Sequence, residues 1–156
     1  MKKTILLLGT LFFLGEIYCQ INIKNQKDLE ETLIGEVKPM GAFMAECKRY
    51  ISANHDTAYV VLFKNAKYTS ITDIQGFSFN ETGGDFIKLY KIIDENFKAK
   101  EKKEIEIPLK DGTLTLSFEK QVGALFLRFQ WYEKTVLSYS GLLSFNQVKK
   151  LFGNPE

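Results

Sequence analysis

The sequence predicts an α+β fold: an antiparallel β-sheet, with a β-meander in the C-terminal half, packed by one amphipathic helix and a short C-terminal helix. Three observations lead there. Apolar and polar residues alternate over several short segments separated by turn residues, the pattern of antiparallel strands with one buried face. One stretch, Phe86 to Phe97, carries the helical period instead. Finally, Ser144 and Gln147 have the spacing of a capping box immediately ahead of an apolar stripe near the end of the chain.

The first segment is set apart from this pattern. Met1 to Gln20 holds Lys2 and Lys3, an uncharged and largely apolar run from Ile5 to Leu14, and then polar residues beside a small side chain. That order is the order of a secretory signal peptide, residues 1–19, with Gln20 as the mature N-terminus. Glu16 interrupts the apolar run well short of the ~20 residues a membrane-spanning helix needs, so no transmembrane helix is expected in the mature chain. Cys19 offers the alternative of a lipoprotein anchor, but Tyr18 stands where the bacterial lipoprotein pattern places a small residue. Residues 20–156 then form a single α+β domain, large enough for one hydrophobic core without covalent staples.

Taken in order, Gln20 to Lys27 is a polar lead-in, and Asp28 to Ile34 is read as a helical turn capped by Asp28. From Pro39 to Ile51 two periods compete. Met40, Phe43, Met44, Cys47 and Ile51 fit one face of a helix, whereas Phe43, Ala45 and Cys47 alternate as in a strand running into a turn at Asn54-His55-Asp56. The strand is preferred, because the sheet needs a partner for the segment that follows. Thr57 to Phe63 is β-branched and aromatic and reads as a buried strand; Asp73 to Phe79 reads as another. In the helix, Phe86, Leu89, Tyr90, Ile93 and Phe97 share a face opposite Lys88, Lys91, Asp94 and Glu95, with Thr82 and Asp85 as expected caps.

After the charge run Lys98 to Glu104, the residues Ile105, Ile107 and Leu109 alternate up to a turn at Lys110-Asp111-Gly112, and Leu114, Leu116 and Phe118 alternate again. Two further strands, Ala124 to Trp131 and Val136 to Leu142, complete the meander. Leu143 and Val148 are placed to staple the capped C-terminal helix, which Gly153 and Pro155 end. No internal repeat is visible. From Lys103 to Phe152 the order of elements, a meander followed by a short helix, resembles the helix-closed modules of the PUR type. The resemblance lies in element order alone, and no residue or activity is transferred on it.

Composition narrows the function. The whole chain carries Lys+Arg 21 against Asp+Glu 19, and loss of Lys2, Lys3 and Glu16 leaves a balance of +1. Together with export, that near-neutrality argues against a nucleic-acid partner. The scarcity of arginine, only Arg49 and Arg128, beside abundant Lys, Ile, Asn and Phe points to an AT-rich bacterial genome. In such a source the glycosylation pattern Asn80-Glu81-Thr82 carries no meaning. With one histidine and no Gly-rich phosphate loop, nucleophile elbow or paired-cysteine motif, neither a metal site nor a cofactor is expected.

Two sets of residues remain. Cys47, His55 and Asp56 are the one nucleophile–base–carboxylate set, since a thiolate needs an imidazole in hydrogen-bond reach and a carboxylate to orient it; they would make a small cysteine-dependent hydrolase or transferase. The bland alternative is a core cysteine and a solvated turn histidine. The second set is the aromatic crowding of the last strands, where Trp131, Tyr132 and Tyr139 stand with Arg128. Alternation puts Phe129 and Trp131 on one strand face and Phe126, Arg128 and Gln130 on the other, and the bland alternative is that the rings are core with Trp131 at an edge. Such a sheet face suits a protein, glycan or small ligand, or single-stranded bases stacked on the rings. The expected function is therefore a non-enzymatic exported binding or interaction module, periplasmic or extracellular.

Overall fold

The computed structural model describes residues 29–155. The signal segment 1–19, its exit before Gln20, the alternative anchor at Cys19 and the polar lead-in lie outside the described residues. Eight strands and two α-helices follow in the order four strands, helix, four strands, helix. Strands β1 (Glu30–Val37), β2 (Ala45–Ile51), β3 (Thr57–Lys64) and β4 (Ile74–Asn80) pair in sequence as one antiparallel sheet. Helix α1 (Asp85–Ala99) then precedes β5 (Lys103–Leu109), β6 (Gly112–Gln121), β7 (Ala124–Glu133) and β8 (Val136–Tyr139), which form a second sheet. Helix α2 (Phe145–Leu151) ends the fold. The α+β class, the C-terminal meander and the two helices are thus observed.

Two expectations change, and the choice left between two periods over 39–51 falls to the preferred strand. The single antiparallel sheet is two sheets of four strands, because α1 interrupts the succession of hairpins between β4 and β5. Alternation in a sequence marks the buried face of a strand but not its neighbours. The helical turn over 28–34 is replaced by β1 from Glu30, where pairing with β2 overrides the local capping signal. The competition over 39–51 resolves as a short 3-10 turn at Pro39–Gly41 followed by strand β2. The two halves also share the order ββββα, a correspondence carried by element order and not by any repeated residue pattern.

At the start of α1 the capping group is neither Thr82 nor Asp85. The Glu81 carboxylate accepts the backbone N–H groups of Gly84, of Asp85 at 2.8 Å and of Phe86 at 3.1 Å, filling the donors that a helix leaves open at its first turn. Gly84 at φ 86° turns the chain into position. Asp85 instead braces the loop, accepting from the Thr82 hydroxyl at 2.5 Å and the Lys88 ammonium at 2.9 Å, and both contacts hold its carboxyl below the usual range. At α2 the Ser144–Gln147 capping box is present, and Leu143 and Val148 are fully buried.

The inner faces of the two sheets meet through aromatic rings. Phe77 of β4 lies edge-on to Phe129 of β7 at 5.5 Å and beside Trp131 at 6.2 Å, while Phe63 of β3 approaches Phe129 at 6.5 Å. The helices close the margins: Phe86 and Tyr90 of α1 pack on Phe152 just after α2, and Phe97 reaches Phe118 of β6 and Phe145 of α2. Asn65, 3% exposed, ties the sheets together through its side chain, its Oδ1 accepting from Tyr139 N at 3.3 Å and its Nδ2 donating to the Asp73 carboxylate at 2.8 Å.

Helix α2 belongs to the second half but covers the first sheet. A Cβ at Gly35 of β1 would stand 2.0 Å from the Lys150 carbonyl oxygen and 2.6 Å from that of Leu151, so only glycine allows this approach. Both neighbours are backbone and cannot rotate away. Gly35→Ala is therefore expected to cost ~1–3 kcal/mol, an overpacking penalty, seen as a lower Tm with far-ultraviolet circular dichroism unchanged at low temperature. An unchanged Tm would mean that α2 can leave β1 freely.

Candidate functional site

Alternation along β7 decides which side chains face outward. Leu127, Phe129 and Trp131 point into the core, so Phe126, Arg128, Gln130 and Tyr132 line the opposite face of the second sheet. The register places neighbours beside them. Arg128 lies across from Ser117, Gln130 stands between Thr115 and Tyr139, and Tyr132 stands between Thr113 and Leu137. The result is an open face of hydroxyl, amide and phenol groups spread over strands β5 to β8, with Glu104 and Glu106 on its β5 edge.

Arg128 is held at the centre of this face. Its Nε donates to Glu119 Oε1 at 2.7 Å, its Nη1 donates to the Ser140 carbonyl at 3.4 Å, and its guanidinium lies 5.2 Å from the centroid of the Tyr139 ring. Charge-assisted hydrogen bonding and contact with an aromatic face together fix one rotamer of a long side chain. Nearby, the Ser117 hydroxyl donates to Glu104 at 3.1 Å. Of the four residues singled out for binding, the structure thus brings Arg128 and Tyr139 together and sets Tyr132, 48% exposed, farther along the same face. Trp131 lies on the other side of the sheet, 3% exposed against Phe77, where its ring contributes to the core.

Cys47, His55 and Asp56 are not brought together. Cys47 is a fully buried inner residue of β2, whereas His55 and Asp56 stand exposed in the turn beyond Ile51, His55 at φ 64°. The strand between Cys47 and Ile51 alone spans ~13 Å at the usual rise per residue. His55 and Asp56 instead line an open depression of about 550 Å³ with Tyr50, Glu81 and Thr82, and no thiol reaches it. Burial pushes the Cys47 thiol from its ordinary 9.0 up to about 12, the opposite of what a nucleophilic cysteine requires.

Among the described residues, no group of three or more His, Cys, Asp or Glu side chains is placed to hold a metal ion, and no helix is long and apolar enough to cross a membrane. Compared with known protein families, curated proteins and solved structures, the chain has no significant match. Glu119 and Ser140, which position Arg128, were not singled out from the sequence. Glu119 sits in the polar register of β6, but its nearness to Arg128 depends on the β6–β7 pairing, which places it opposite Phe126 and diagonal to the arginine.

The burial of Cys47 has a measurable consequence. Native protein should resist alkylation at pH 8 and react fully once denatured; rapid labelling of the native state would show a reachable thiol. The unfolded chain loses the Cys47 proton as pH rises past 9.0, while the folded protein keeps it to about 12. Stability is therefore retained below pH 9 and declines between 9 and 12, by up to ~1.4 kcal/mol per pH unit, and Cys47→Ala should flatten that slope in denaturant titrations.

Proposed function

We propose that the protein is a non-enzymatic exported binding module whose contact surface is the outer face of the second sheet, centred on Arg128 and Tyr139. The observation that carries this reading is the fixed arginine: Glu119, Ser140 and Tyr139 restrain its guanidinium on an open face where it still has free donors. A restrained side chain loses less conformational entropy when a partner arrives. Thr113, Thr115 and Gln130 supply hydrogen-bonding groups around it, and Tyr132 and Tyr139 supply flat apolar area, a combination suited to a hydroxyl-rich glycan or a protein surface. The separation of Cys47 from His55 supports a binding role over a cysteine-dependent reaction.

Export belongs to the same proposal and rests on the order of charged, apolar and small residues in Met1 to Gln20. Intact-mass measurement of protein from its native host should give a chain beginning near Gln20, recovered outside the cytoplasm. A full-length chain in the cytosol would overturn export, and a lipid-modified Cys19 would replace it with a tethered lipoprotein.

The binding surface is tested by substitution. Arg128→Ala and Tyr139→Ala should weaken capture on a glycan array, or of a protein partner from the periplasm or medium, by tenfold or more while shifting Tm little. Trp131→Ala should instead cost ~3–5 kcal/mol of stability, the penalty for truncating a buried aromatic. Equal partner capture by wild type and both surface variants would place the contact surface elsewhere.

A further inference from the structure

At the end of the second sheet away from the Lys110-Asp111 turn, an opening of about 330 Å³ lies between the C-terminus of α1, the β6–β7 hairpin and the start of α2. Its apolar lining is Phe97, Leu125 and Phe145, with Ala124 at the edge; the Phe97 and Phe145 rings are 4.9 Å apart and form its floor. Lys98, Lys100 and Lys120 stand around it, and Lys149 sits over the Phe145 ring at 5.0 Å.

The lysines are not equivalent. Lys98 pairs with Asp94 at 2.5 Å and complements the end of its helix. Among the described residues, neither Lys100 nor Lys120 has an acidic side chain within ion-pair distance, and the two come from different elements. Lys120 has a further peculiarity. Leu114, Leu116 and Phe118 alternate along the core-facing side of β6, and Lys120 continues that register opposite Leu125, so a charged side chain follows directly on the buried row. The hairpin tip beside it holds Val122 at φ 48°, a left-handed conformation that β-branched residues rarely adopt, and leaves its side chain fully exposed. The opening therefore joins a ring-lined apolar floor to two cations without acidic partners.

We propose that this opening binds a small amphipathic anion, a carboxylate carrying a short acyl or aromatic body, with the carboxylate between Lys100 and Lys120 and the body against Phe97, Leu125 and Phe145. The volume is at the small end of ligand pockets, which limits the body to a short chain or a single ring. The site lies apart from the Arg128 face and is independent of it.

The test uses the mature chain and sodium octanoate, followed by amide chemical shifts and calorimetry. Octanoate should bind saturably and move the Gly123, Ala124 and Leu125 amides. Octanol, which lacks the charge, and acetate, which lacks the body, should each bind at least tenfold more weakly. The double variant Lys100→Gln/Lys120→Gln should lose at least tenfold in affinity with Tm unchanged, while Lys110→Gln/Lys134→Gln, which removes the same charge from turns outside the opening, should bind as wild type. Octanol binding as tightly as octanoate, equal loss in both double variants, or shifts confined to the separate groove that Leu89 and Ile92 of α1 line with Ile107 of β5 would overturn the assignment. So would co-sedimentation with phosphatidylglycerol vesicles in the absence of saturable octanoate binding, which would make this end a lipid-surface contact instead.

Discussion

The seam at which Phe77 meets Phe129 and Trp131 is the contact on which the rest of this structure depends. Each four-stranded sheet has one apolar face that must be kept from water, and at this seam each sheet covers much of the other. The rings at the seam are large, and their edge-on and tilted contacts favour a limited set of separations. Once that spacing is set, the helices occupy what remains open at the margins, which explains why both present aromatic residues, Phe86, Tyr90 and Phe97 from α1 and Phe145 and Phe152 around α2, to a common interior.

That interior also determines what is available for contact with other molecules. Because β7 gives Leu127, Phe129 and Trp131 to the core, pleating forces Arg128 and Gln130 outward, and Tyr139 joins them through its pairing with Gln130. The placement of the outer face is thus set by the seam behind it. The same alternation, one strand earlier, carries Lys120 past the end of the buried row and leaves its charge at the mouth of the interior. Both surface features follow from one registration of β6 against β7.

Much of the fold could be read from the residues. The helix over Phe86 to Phe97, the meander and the Ser144–Gln147 cap each rest on interactions within a few residues of one another, or on the alternation of a single strand, and these leave a clear periodic trace. What was not legible is non-local. Glu81 caps α1 from outside the usual capping positions, through a loop whose path depends on Gly83 and Gly84. Ile34 bulges so that Leu33 and Gly35 keep partners on β2, and no pattern in the segment predicts that irregularity. The site shows the same division. Trp131 and Arg128 could be assigned to opposite faces of one strand, but the grouping of Arg128 with Glu119, Ser140 and Tyr139 joins three strands and depends on their register.

The close approach of α2 to Gly35 sets an order of events for a chain made or threaded from its N-terminus. Among the described elements β1 comes first and its cover comes last, because Lys150 and Leu151 belong to α2. Until they arrive, β1 lacks the backbone that packs over Gly35. Completion of the first sheet is thereby deferred to the moment α2 is free to dock, so the earliest strand and the last helix of the fold become ordered against each other in one late step.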